Sequence, residues 1–142
     1  MIESHTNSFQ DEHNGVFHLY VMQMIHGVPV SNSPASVSTD TKGKLIAFSN
    51  AWANVSAQDR QQLLKRGVEL TASQAVVAFG AIIGEEIELS RLSEKVIARD
   101  TIEVRGANLT TVGYIIAKRR FYKTETSLLR TWALQVQMKQ NW

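Results

Sequence analysis

The sequence predicts an α+β chain, built from antiparallel sheet units with helices packed on them. Apolar residues alternate with polar ones, at the period of a strand, in the first and last thirds of the chain. Between them, Thr71 and Gln74 form a Thr-x-x-Gln box that opens an apolar run at helical spacing, with Gly84 at its end. Of the 142 residues, 44% are hydrophobic and 20% charged, which is enough apolar surface for a core and argues against disorder.

Each element follows in order. Residues 1–14 read as a polar lead-in. Residues 16–25, VFHLYVMQMI, are rich in β-branched and aromatic side chains with no breaker, and predict a strand. Phe17, Leu19, Val21 and Ile25 fall on one face and His18, Tyr20 and Met22 on the other. His26-Gly27 predicts a turn. Residues 28–30 restart an extended segment, where Pro29 demands an edge or a strand start. Residues 35–39 predict a second short strand. Asp40 to Gly43 forms a hairpin turn, and residues 44–48 return from it. The first third is therefore an antiparallel meander. Ser56 as cap, Asp59 three residues on and Gly67 as stop frame a helix over 57–66. The capping box predicts a second helix over 72–83, with Ala72, Ala75, Val76, Phe79 and Ile83 on its buried face. Residues 95–105 predict one strand and 111–122 a longer one. A turn over 123–127 leads to a partner strand over 128–138, whose even-numbered residues form an apolar face interrupted by Arg130.

Several functions are argued against. The formal net charge is +2, and no basic run is interleaved with aromatics, so nothing points to nucleic acid. The cluster Lys118, Arg119, Arg120 and Lys123 reads as a solvated strand end. With no cysteine there is no disulfide, thiol nucleophile or thiolate metal ligand. No segment reaches the length of a membrane span. The polar N-terminus is not a signal peptide, so the signal of a secreted product has been removed or lies outside this sequence. His-Glu-x-x-His, Gly-x-Ser-x-Gly and a phosphate-binding glycine loop are all missing. His5, His13, His18 and His26 are scattered over lead-in, strand and turn, and predict no zinc site. Glu85, Glu86 and Glu88 follow a helix end and read as solvated. Trp52, Trp132 and Trp142 read as core or interface anchors. No catalytic, cofactor-binding or metal residue is nominated, and no cofactor is expected. The tripeptides Asn54-Val-Ser56 and Asn108-Leu-Thr110 are glycosylation sequons.

The stretch HLYVMQMIHGVPVSNSPASVSTDTKGKLIAFSNAW resembles the propeptide motif of fungalysin/thermolysin-type secreted zinc metalloproteases. It supplies His18, Tyr20, Gln23, Gly27, Val28, Val30, Asn32, Val37, Asp40, Gly43, Leu45, Phe48, Asn50 and Trp52 at the motif's spacing without a gap. Ser33, Ala35 and Thr39 depart from the usual residues. LTASQAVVAFGAIIG and KRRFYKTETSLLRTWALQVQM are similar to the second half of such propeptides, the PepSY unit of cystatin-like α+β form. The resemblance implies an FTP-like meander over 1–66 and a PepSY-like helix and hairpin over 67–142. It implies a non-catalytic, secreted prodomain that chaperones and inhibits the catalytic domain of a cognate zinc metalloprotease. The alternative is a stand-alone secreted relative that binds or inhibits a protease in trans. Docking is expected through a strand edge or the apolar end of the closing hairpin, including Trp142. His18, Tyr20, Asn32 and Asn50 are expected to hold the meander together rather than to act chemically.

Overall fold

In the computed structural model, residues 8–65 and 69–138 are described. The chain is α+β, with eight strands and two α-helices among those residues. Among the described residues, the strand pairs of known register are antiparallel, apart from a parallel contact of Val30 with Phe121. Two compact units divide it. The first takes Met1–Arg66 with Phe121–Leu129, and the second takes Gly67–Arg120 with Arg130–Trp142.

In the first unit, β1 (Phe9–Gln10), β2 (Phe17–Ile25), β3 (Val28–Thr39) and β4 (Leu45–Asn50) pair in sequence as an antiparallel meander. The lead-in is thus not wholly irregular: Phe9 pairs with His18, and its ring lies 4.8 Å from the imidazole. Ile25 pairs with Val28 across a two-residue turn, where His26 (φ 50°) and Gly27 (φ 77°) are both left-handed. That is the geometry whose twist suits a hairpin. The two short strands expected over 28–30 and 35–39 are one strand. Its register against β2 shifts between Met24 opposite Pro29 and Met22 opposite Pro34. Over this interval Val30 pairs with Phe121 of β7 instead, so the polar Ser-Asn-Ser-Pro stretch stays extended. Asp40 closes the β3–β4 turn: its Oδ1 accepts from the backbone N–H of Lys42 (2.9 Å) and Lys44 (2.8 Å).

Helix α1 (Ala57–Lys65) begins at a reciprocal cap. Ser56 Oγ accepts from Asp59 N–H at 3.1 Å, and the Asp59 carboxylate accepts from Ser56 N–H at 3.3 Å. Gly67 lies outside the described residues. The core of this unit is Ile25, Val30, Leu63 and Phe121, flanked by Val28, Val55 and Leu128.

The second unit is a sheet with one helix. α2 (Ala72–Ile83) starts at the Thr71/Gln74 capping box and ends at left-handed Gly84 (φ 81°). Its buried face is Ala72, Ser73, Val76 and Gly80, rotated from the expected one, and Ile83 is 38% exposed. Ile87, beyond the helix, takes the place expected for Ile83: it packs in the core beside Ala72 and Val76, against Gly80, with Val104, Leu109, Ile115 and Ala117. Residues 95–105 are not one strand but a hairpin, β5 (Ser93–Ala98) and β6 (Thr101–Arg105). Asp100, at φ 58°, turns the chain between them. β7 (Tyr114–Lys123) pairs with β6 and begins later than expected; β8 (Leu128–Gln135) pairs with β7 and ends earlier, after which Met138 makes an isolated bridge to Thr110. Trp132, Leu134 and Val136 of the even-numbered face pack on the core, as the alternation predicts.

Arg130, the exception on that face, is neutralised by Glu69, whose two oxygens receive Arg130 Nη1 at 2.9 Å and Arg119 Nη1 at 2.7 Å. Arg119 also lies 5.1 Å from the Trp132 ring centroid, and Trp132 Nε1 donates to the Leu70 carbonyl at 2.8 Å. The basic cluster is therefore not simply a solvated strand end: Arg119 is held by a carboxylate and an aromatic face.

Candidate functional site

Most polar residues of the resemblance are engaged within their own unit. Gln23 forms a two-way bond with the backbone of Ala53, donating to its carbonyl at 2.9 Å and accepting from its N–H at 2.8 Å. Asn32 does the same with Lys123, at 2.7 Å in both directions. The side chain thus continues the parallel pairing one step beyond Val30 and Phe121. Asn50 Oδ1 accepts from Trp52 N–H at 2.8 Å, and His18 Nδ1 meets Ser38 Oγ at 2.9 Å. Polar groups at bends and strand ends bind backbone that has no ladder partner. Such groups are occupied in holding the meander.

The apolar residues of the same stretch divide differently. Val28 and Val30 enter the core, but β4 is exposed at all six positions. Leu45 is 58% exposed, Ile46 56% and Phe48 61%. The register aligns Leu19, Val37 and Phe48 across β2, β3 and β4, and likewise Phe17, Thr39 and Leu45. Phe17 is itself exposed. Partners sharing a row share a face, so the meander presents an apolar face next to a strand whose pairing, as described, is to β3 alone. An exposed apolar edge strand is a template for association, and it lacks the lysine, proline or inward charge that usually blunts one.

A cleft of about 330 Å³ also opens in this unit, between the 53–55 loop, α1 and the β7–β8 turn. Val55, Leu63 and Leu128 give it an apolar side, and Asp59, Lys123 and Glu125 a charged one of both signs. It holds no histidine, and Lys123 Nζ is tied to the Ala51 carbonyl at 2.6 Å. Among the described residues no three His, Asp or Glu side chains converge as metal ligands would. His5 and Trp142 lie outside the described residues. Glu85, Glu86 and Glu88 are exposed, and Glu88 pairs with Arg91 at 2.7 Å. Among the described residues no helix is long and apolar enough to cross a membrane.

Comparison with known proteins returns the same theme. The Fungalysin/Thermolysin Propeptide Motif matches residues 5–51. That match starts before His18 and so takes in β1. Extracellular metalloproteinase 5 of Arthroderma otae is 23% identical over 129 residues, covering 91% of this chain and 20% of that protein. Extracellular metalloproteinase 3 of Arthroderma gypseum is 24% identical over 133 residues, and extracellular metalloproteinase mep of Aspergillus terreus 23% over 130, with the same coverage. The chain thus spans about a fifth of the length of the curated relatives it matches. A segment carrying the propeptide motif and aligning with only that fraction of each metalloproteinase resembles the propeptide of the fungalysin/thermolysin type.

Proposed function

We propose that this chain is a non-catalytic metalloprotease propeptide that chaperones and inhibits a fungalysin/thermolysin-like zinc protease domain. In this reading residues 1–66 are the FTP-like part and 67–142 a PepSY-like, cystatin-like part, and the protein is secreted. The observation that carries it is the outward apolar set Leu45, Ile46 and Phe48 on β4, inside the matched motif. The polar motif residues are occupied at home, whereas these are left for a partner. Docking a native-like protease surface explains both roles. Bound to a late folding state, it lowers the barrier to a kinetically stable enzyme. Bound to the finished enzyme, it excludes substrate. Tethering in a precursor supplies a high effective concentration, so the isolated chain needs only micromolar affinity, about −8 kcal/mol.

The test is titration of the chain into a mature fungalysin-type protease, with refolding of the denatured protease run beside it. Inhibition in the micromolar range and a higher refolding yield are expected. Phe48→Asp, on a side chain 61% exposed, leaves the circular dichroism spectrum unchanged. It weakens inhibition by at least tenfold, the scale of an interface anchor worth about 1.4 kcal/mol or more. Neither inhibition nor complex at about a hundred micromolar, where even weak binding of about −5.5 kcal/mol registers, removes the proposal.

A further inference from the structure

We propose that Asn108 is an acceptor for an N-linked glycan, attached before the loop around it packs. The site rests on the secretory reading above, since the donor is found in that route. Asn108 is the first residue of Asn-Leu-Thr, in the loop between β6 and β7. It is exposed and holds a left-handed backbone, φ 56°. The next two residues point the other way: Leu109 is 8% exposed and belongs to the core, and Thr110 is 6% exposed and bridges to Met138. Thr111 N–H is bonded to the Gln137 carbonyl at 3.1 Å. The tripeptide is thus split. Asn108 itself is exposed, while the residues a transferase must grip are locked in place. The other sequon is exposed at both Asn54 and Ser56 but is constrained differently. Asn54 lines the cleft beside the β7–β8 turn, and the Ser56 hydroxyl is committed to the α1 cap, donating to Asp59 Oδ2 at 2.6 Å.

In the reaction, Asn108 Nδ2 attacks the anomeric carbon of a lipid-pyrophosphate-linked oligosaccharide. The N–C bond forms, the C–O bond to pyrophosphate breaks, the lipid pyrophosphate leaves with the electron pair, and the amide gives up one proton. Because Leu109 and Thr110 are buried once folded, transfer has to precede packing of this loop.

The full chain, behind a vector-supplied signal peptide, is expressed in a eukaryotic secretory host, and cells and medium are pooled. Peptide mass spectrometry after N-glycanase treatment reads Asn108 directly, as conversion to aspartate in wild type and its absence in Asn108→Gln. In parallel, the unglycosylated folded chain and a synthetic peptide covering 100–116 are offered to a purified transferase with the lipid-linked donor. Glycan at Asn108 in the cell, on the peptide and not on the folded chain is the expected pattern. An unmodified Asn108 in the pooled protein overturns the site. Equal modification of folded chain and peptide overturns the order of events. Since the signal is supplied, neither result depends on secretion of the endogenous protein, which is tested separately by its presence in the culture medium.

Discussion

Replacing Asn32 by alanine removes both bonds between its amide and the Lys123 backbone, each 2.7 Å long. A net hydrogen bond is worth about 0.5–1.5 kcal/mol, and an orphaned buried group loses about 1–3 kcal/mol. Lys123 is half-buried, so water recovers part of the loss. The expected destabilisation is about 2–3 kcal/mol, a fall in Tm of about 5–10 °C for a chain of this size. Asn32→Asp keeps the shape but sets an acceptor against the Lys123 carbonyl, and is expected to be at least as damaging. Ser36→Ala is the comparison. It loses a bond of equal length, Ser36 Oγ to Ser49 Oγ at 2.7 Å, but an exposed one that water replaces, so the change stays within about 0.5 kcal/mol. Urea unfolding followed by circular dichroism reads all three. If the two units melt separately, only the transition of the unit holding Asn32 moves. Equal midpoints for Asn32→Ala and Ser36→Ala would refute the reasoning.

Other outcomes follow from the second unit. Gly80→Ala raises helix propensity, yet its new Cβ would lie 2.5 Å from Ile87 Cδ1 and 2.8 Å from the Glu85 carbonyl, so a loss of about 1–3 kcal/mol is expected in thermal melts. A gain in stability would show that the 85–87 segment yields freely. Glu69→Gln loses the charge shared by Arg119 and Arg130. Because those groups are only partly buried, the expected cost is about 1–2 kcal/mol, shrinking in high salt; an unchanged midpoint at low salt would place the pairing among inert surface ion pairs.

The features legible in the sequence are the local ones. Thr71, Gln74 and Gly84 set the bounds of α2, because capping is settled within a few residues. The strand period of β2 and the even face of β8 were likewise visible. Non-local features were not. Ser31 to Pro34 reads as a break, and remains a strand because β3 leaves β2 for β7 there. The Arg99-Asp100 turn was hidden because Asp is only modestly suited to left-handed backbone and no glycine marks it. Likewise Leu45 and Phe48 fit the propeptide resemblance, but their exposure depends on what packs over β4, which periodicity cannot express. Asn108 could be found by motif alone, whereas the burial of Leu109 and Thr110 beside it could not.

The composition of the first unit has a consequence for synthesis. Its core needs Phe121, and its β3 needs Lys123, yet its other residues end at Arg66. Phe121 lies 55 residues beyond Arg66, so a ribosome adding roughly 5–20 residues per second takes about 3–11 s to deliver it. During that wait the nascent meander has Ile25, Val30 and Leu63 uncovered by Phe121, beside the exposed β4 edge. The strands of this unit therefore close only after most of the second unit has been made, and it is the nascent chain that stands in most need of shelter from its neighbours.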